Sequence, residues 1–171
     1  RTAVSTFLEW CNKRDLIKFN PFAKIETIRI TEADKRRKSY FLSQKQIWEI
    51  NFMMKLDKKK FDIQDRLIFN LFLDSAVRIS AGHSLKLSQL DINGMCFKGV
   101  RHKEGYIKPV IFFQETKEIL LEWIKEREKR GIELDYLFVT RYNKTYKQMS
   151  KETIRARVRI MGKIVGIENY Y

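Results

Sequence analysis

Four cations stand at strict four-residue spacing near the end of the chain: Lys151, Arg155, Arg159 and Lys163. On an α-helix that spacing lines them along one face. Ile154, Val158, Met161 and Val165 fall on a second, apolar stripe of the same segment. A helix held to a core on one side and carrying a row of cations on another suits docking to a phosphate backbone. Solvated faces usually mix signs, whereas residues 141–163 hold eight basic residues against one acid, Glu152. A second candidate is Arg78, which follows Asp74 by four residues at the end of an apolar run. Taken alone, that spacing reads as an ordinary ion pair at a helix end. A third basic group, Arg101-His102-Lys103, precedes Glu104-Gly105.

Other chemistries find no support. Cys11, Cys96, His83 and His102 have no ligand-like spacing, and no acids cluster with the histidines as a metal nuclease would require. No metal or other cofactor is expected. The two cysteines are too few and too far apart for a disulfide scaffold.

The bulk composition points the same way as the cations. Thirty-five Lys and Arg against 21 Asp and Glu leave a net charge of +14 and a pI near 9.8. Such an excess attracts polyanions, nucleic acid above all, and does not by itself separate double-stranded DNA from RNA or from an anionic membrane. The chain has 171 residues, 44% of them hydrophobic, enough for one packed domain, or one domain plus a remnant of another. It begins with Arg1, which reads as a processed or excised piece. No apolar run reaches the length of a membrane span and no signal-peptide pattern opens the chain, so a soluble, cytoplasmic protein with no membrane partner is expected.

The elements that must position these cations follow from periodicity. Residues 3–16 repeat Val4, Phe7, Leu8 and Cys11 at helical spacing, with Asn20-Pro21 as the stop. From Ala23 to Tyr40 the pattern fades and charge rises through Arg36 and Arg37, as in a basic linker. Ser43 and Gln46 have the form of a capping box ahead of a helix carrying Ile47, Trp48, Ile50 and Met54. After Lys58–Lys60 a strongly apolar helix is predicted over Ile63–Asp74, with Phe69, Phe72 and Leu73 in the core, then a shorter one over Ser80–Leu87. Met95–Val100 and Tyr106–Phe113 read as strands of a hairpin around Lys103-Glu104-Gly105. A helix over Glu115–Arg130 stops at Gly131, Tyr136–Thr140 is a short strand, and the basic helix runs from Ser150 to about Val165. The fold class expected is α+β, mostly helical, with a small antiparallel sheet at one edge.

Leu71–Ile92, LFLDSAVRISAGHSLKLSQLDI, resembles the first signature box of the tyrosine recombinases and phage integrases, usually written TGLRISELLxLxWxDI. Residues 7–22, FLEWCNKRDLIKFNPF, resemble the last helix of that family's core-binding domain. Tyr40-Phe41-Leu42-Ser43 resembles the start of its catalytic domain, Tyr136–Val139 its "YLF" segment, and Ile164–Asn169 the stretch before its His-x-x-Arg box. The resemblance implies a core-binding remnant over 1–22, a basic linker over 23–41, and the N-terminal part of a catalytic domain over 42–171.

It also implies a chemistry. Members of the family cut DNA without metal: a tyrosine attacks a backbone phosphate, a 3′-phosphotyrosyl bond forms, and the 5′ oxygen leaves with a proton. Arginine suits the clamp on the non-bridging oxygens because its planar fork donates two bonds at once. By motif position Arg78 is that clamp. Lys103 is the choice for the general acid, with Arg101 as the alternative. Lys151, Arg155, Arg159, Lys163, Arg101, His102, Lys86, Arg36 and Arg37 are the expected DNA contacts.

The sequence departs from the family at Ala81, where an acid is usual, and at Gly82, which should weaken the local helix. His83 reads as packing or surface. The His-x-x-Arg box and the nucleophile come after the region matched, so Tyr170 and Tyr171 stand too early. These 171 residues alone are expected to bind DNA without forming a covalent adduct, with self-association on DNA belonging to the full-length parent. The alternative reading is a non-catalytic basic nucleic-acid-binding protein.

Overall fold

The computed structural model describes residues 2–25 and 41–167, and the chain divides into two compact units, Arg1–Phe41 and Leu42–Tyr171. In the first, α1 spans Thr2–Asn12, four residues short of the expected end. The chain turns there because Asp15 adopts a left-handed backbone (φ 56°) and Asn12 donates its side-chain amide to Ile17 O at 3.1 Å. Asn20 does not stop α1. It caps a separate 3-10 turn, Pro21–Lys24, accepting from Phe22 N at 3.0 Å. Arg36 and Arg37 lie outside the described residues.

In the second unit α2 covers Gln44–Leu56 and opens on the expected Ser43/Gln46 capping box. The central helix, α3, spans Ile63–Ser75 and is capped by Asp62. Leu67, Ile68 and Leu71 are wholly buried. Leu73, expected in the core, is 42% exposed; two residues past Leu71 is about 200° round the helix, the far side from the core. The short α4, Ile79–His83, follows, and stops sooner than Leu87, which instead begins a 3-10 turn over Leu87–Gln89.

Strands β1 (Leu90–Asp91), β2 (Cys96–Arg101) and β3 (Ile107–Ile111) form an antiparallel sheet in the order β1-β2-β3. Phe97 faces Val110 and Arg101 faces Ile107, with a register shift between Phe97 and Val100 where Gly99 takes φ +66°. A bulge at such a glycine bends the strand and re-aims what lies beyond it, here the hairpin tip. Helix α5, Gln114–Lys129, then runs back along α3 and ends at Gly131, φ +65°.

Ahead of the basic helix, the short strand expected over Tyr136–Thr140 begins three residues later and is joined by a second strand. Val139–Tyr142 (β4) and Thr145–Gln148 (β5) form a two-stranded ribbon. Its turn residues, Asn143 and Lys144, both have positive φ (45° and 66°), the geometry that matches strand twist in a two-residue hairpin. Helix α6, Lys151–Gly162, follows a Ser150 cap, and Lys163–Val165 continue as a 3-10 turn, not as α-helix.

One core joins α3, the three-stranded sheet, α5, β4 and α6, through Phe97, Phe112, Leu120, Trp123, Phe138 and Ile154 among others. Most polar groups inside it are paired, Arg127 Nε being a buried exception. Gln64 exchanges both amide bonds with the Val139 backbone (3.0 and 2.7 Å), and Trp123 Nε1 donates to Leu137 O at 3.0 Å. The buried Arg127 guanidinium donates to the carbonyls of Leu134, Tyr136 and Leu137. Burial lowers the pKa of that arginine.

Candidate nucleic-acid interface

Arg78 is delivered by the way α3 ends. Ser75 Oγ donates back to Leu71 O at 2.6 Å and accepts from Val77 N at 3.3 Å. Ala76 is forced into the left-handed region (φ 47°, ψ 28°) as it closes the helix onto Phe72 O. Glycine, usual there in the family pattern, would take that conformation at lower cost. Val77 is buried and anchors the turn, so Arg78 emerges on an extended backbone (φ −64°, ψ 143°) as the N-cap of α4. Its carbonyl accepts from Ala81 N (2.9 Å) and Gly82 N (3.0 Å).

The guanidinium is exposed and makes no hydrogen bond or ion pair among the described residues. Asp74, the partner that spacing alone suggests, is engaged elsewhere. Its Oδ2 accepts from Phe113 N at 2.9 Å and from Thr116 Oγ1 at 2.6 Å, which ties the start of α5 to the end of α3. The simple helix-end pair is therefore not formed.

Gly82 has a packing reason. A Cβ there would lie 2.4 Å from Phe72 Cζ, so the glycine lets α4 cross directly over that ring. Ala81 is buried, so the side chain that replaces the family's usual acid sits in the core. His83, next on α4, lies beside β5: Gln148 Nε2 donates to His83 O at 3.0 Å and lies 3.3 Å from Nδ1. Desolvation, reinforced by the nearby Lys151 charge, lowers its pKa.

The remaining candidates fall on three elements. Arg101 ends β2, and Lys103 lies on the 3-10 turn Lys103–Gly105; both side chains are exposed. His102 is half-buried, with His102 N donating to Tyr106 O at 2.7 Å. On α6, Ile154 and Met161 are buried, Lys151 is half-buried, and Arg155 and Arg159 are exposed; Lys163, on the 3-10 turn that follows, is also exposed. Arg155 pairs with Glu152 at 3.1 Å. Lys86 is half-buried, stacked 5.6 Å over the Tyr136 ring and 4.0 Å from Asp135. Of all these, α4 and α6 are in contact, and Lys151 acts electrostatically on α4 through His83.

Sequence reasoning missed the ribbon cations and one structural arginine. Arg141, Lys144 and Lys147 are exposed on β4–β5, just ahead of α6. Asn143, a residue type that tolerates positive φ in a two-residue hairpin turn, was the one weak signal available for that hairpin. Arg157 lies off the i+4 row. It grips Asp65 through Nε (2.6 Å) and Nη2, and donates to Lys60 O at 2.8 Å. The Asp65 contact raises its pKa.

Among the described residues no group of three or more His, Cys, Asp or Glu is arranged to hold a metal, and no helix is long and apolar enough to cross a membrane. A model of the phage integrase family matches residues 40–171. The chain belongs to that family. Tyrosine recombinase XerC of Lactobacillus delbrueckii subsp. bulgaricus is 29% identical over 126 residues, 72% of this chain and 40% of the relative. Tyrosine recombinase XerA of Saccharolobus solfataricus is 28% identical over 105 residues, 61% of this chain and 32% of that protein. The chain thus spans about two fifths or less of the length of these curated tyrosine recombinases. A crystal structure of XerA recombinase superimposes with a TM-score of 0.63 at 18% identity, covering 99% of this chain and 63% of that one. The mostly helical α+β architecture with small antiparallel sheets is that of a tyrosine-recombinase catalytic domain.

Proposed function

We propose that this integrase-family domain is the DNA-binding and strand-cleaving core of a site-specific tyrosine recombinase, with Arg78 as the clamp on the scissile phosphate. The observation that carries the reading is the state of Arg78: a guanidinium exposed and unpaired among the described residues, whose nearest acid in sequence is held by α5. Such a group is available to two non-bridging oxygens and to the charge they gain in the pentavalent transition state. Lys103 at the hairpin turn donates its proton to the departing 5′ oxygen, with Arg101 the competing assignment. Lys151, Arg155, Arg159 and Lys163 dock the duplex backbone, joined by His102 and Lys86. Neither Tyr170 nor Tyr171 is assigned as nucleophile. The family pattern puts that tyrosine beyond the boxes matched by these residues.

The test uses the full-length parent and a nicked suicide substrate that traps the covalent adduct. Arg78→Ala should lower adduct formation by roughly 10²–10³-fold, the cost of losing one transition-state donor, while duplex affinity changes only a few-fold. Adduct formation at the parental rate would sink the assignment. A substrate with sulfur in place of the 5′ bridging oxygen has a leaving group that needs no proton. It should rescue Lys103→Ala and not Arg101→Ala; the reverse pattern would move the acid to Arg101.

A further inference from the structure

At the end of α3 remote from Arg78, a groove of about 580 Å³ opens between the α2–α3 loop and the C-terminal half of α5. Three acids line it, and arginines take all three: Arg130 pairs with Asp62 (2.7 Å) and Glu126 (2.8 Å), and Arg66 approaches Glu122 at 3.5 Å. Arg157, also in the wall, is held by Asp65. What remains is six exposed lysines: Lys55, Lys58, Lys59, Lys60, Lys125 and Lys129. None has an anionic partner among the described residues; Lys60 lies 5.5 Å over the Phe61 ring. Six like charges around one depression repel one another, and an anion relieves that repulsion.

We propose that this groove is a second contact for the DNA backbone, separate from the Arg78 turn. The inference rests on the reading of the domain as DNA-binding. Helix α3 has 13 residues, so its two ends are about 20 Å apart, some six phosphate steps along one strand. The groove therefore grips phosphates well away from the one being cut. Its chemistry favours nucleic acid over an acidic protein. Protein interfaces are built on aromatic and arginine anchors and are depleted in lysine, whereas here the aromatic Phe61 is buried and the arginines are already paired. Flexible point charges on long stems suit a repeating backbone that need not be read for sequence.

The experiment measures binding of the intact chain to a 20-base-pair duplex of arbitrary sequence (a length of about two turns) across a salt series. Lys58→Gln, Lys59→Gln, Lys125→Gln and Lys129→Gln are combined, and arginine at the same four positions serves as the charge-preserving control. The slope of log K against log salt should fall by roughly 2 to 4 in the glutamine variant, at about 0.9 for each phosphate left without its cation. The arginine variant should restore it. An unchanged slope in the glutamine variant, with the parent chain binding normally, overturns the groove alone. So does an unchanged duplex slope accompanied by lost binding to polyglutamate, which would assign the groove to an acidic protein. If Arg155→Gln with Arg159→Gln leaves the slope intact while the groove variant lowers it, the α6 docking reading fails and the groove stands. A parent chain that binds no duplex removes both.

Discussion

Arg78 follows an aspartate by four residues and Arg157 meets one across the fold, and the structure treats them in opposite ways. Arg157 is consumed: Asp65, with a side chain only 5% exposed, takes two of its donors, and the Lys60 carbonyl takes another. That pair ties α6 to the start of α3. At the other end of α3, Asp74 is taken by the Phe113 amide and the Thr116 hydroxyl, and Arg78 is left exposed. Whether a basic side chain serves the fold or a substrate is decided here by what else its neighbouring carboxylate can reach. A spare backbone N–H at the start of α5 is what sets Arg78 free.

The largest effect should come from breaking the consumed pair. Arg157→Ala leaves the buried Asp65 carboxylate without its cation, and a cost of about 3 kcal/mol or more is expected for a charge stranded in this way. Urea denaturation monitored by circular dichroism measures it. A loss below about 1 kcal/mol would place the pair among ordinary surface bridges and dissolve the contrast. Next in size is Asp74→Ala, which removes the acceptor from the first turn of α5 and from a buried threonine hydroxyl. About 1–2 kcal/mol of stability should be lost, the usual range for a helix cap. An Asp74→Ala variant as stable as the parent chain would mean that this carboxylate does not cap α5, and the reason for Arg78 being free would go with it.

Much of this was legible in the sequence, unevenly. The Ser43/Gln46 cap, the apolar face of α6 and the hairpin around Lys103 follow from local spacing, and local spacing is what the chain obeys there. Arg78 was legible only as a motif position; its freedom was not, because it depends on Phe113 and Thr116, some 40 residues away. Arg157 was invisible for the same reason: its partner Asp65 is 92 positions distant. Leu73 is misplaced by sequence because residues 67–73 are apolar at every position but Asn70, and only the packing of Leu67, Ile68 and Leu71 reveals which side is the core. Beyond Thr140 the β4–β5 ribbon reads as loop since its residues are polar and mostly exposed; Gln64, bonded to Val139 in the core, holds its first strand. Gly82 looks like a weakness when read along the helix and is a point of close approach when read across to Phe72.

The smallest expected effect is the most discriminating. Arg78→Ala should change unfolding free energy by less than about 0.5 kcal/mol, as exposed substitutions without partners do. Paired with Asp74→Ala in a double-mutant cycle, the coupling should vanish within about 0.3–0.5 kcal/mol, the scatter of independent sites. The same cycle on Arg157 and Asp65 should return a coupling of about 1–3 kcal/mol, the upper range for residues in direct contact. Two arginines, one four residues from its aspartate in sequence and one in contact with it, would then give different answers to one measurement. A measurable Arg78–Asp74 coupling would mean that the guanidinium spends its time against α3, not facing a phosphate. The clamp would then have to be broken before DNA could use it, and Arg78→Ala would cost binding and stability together.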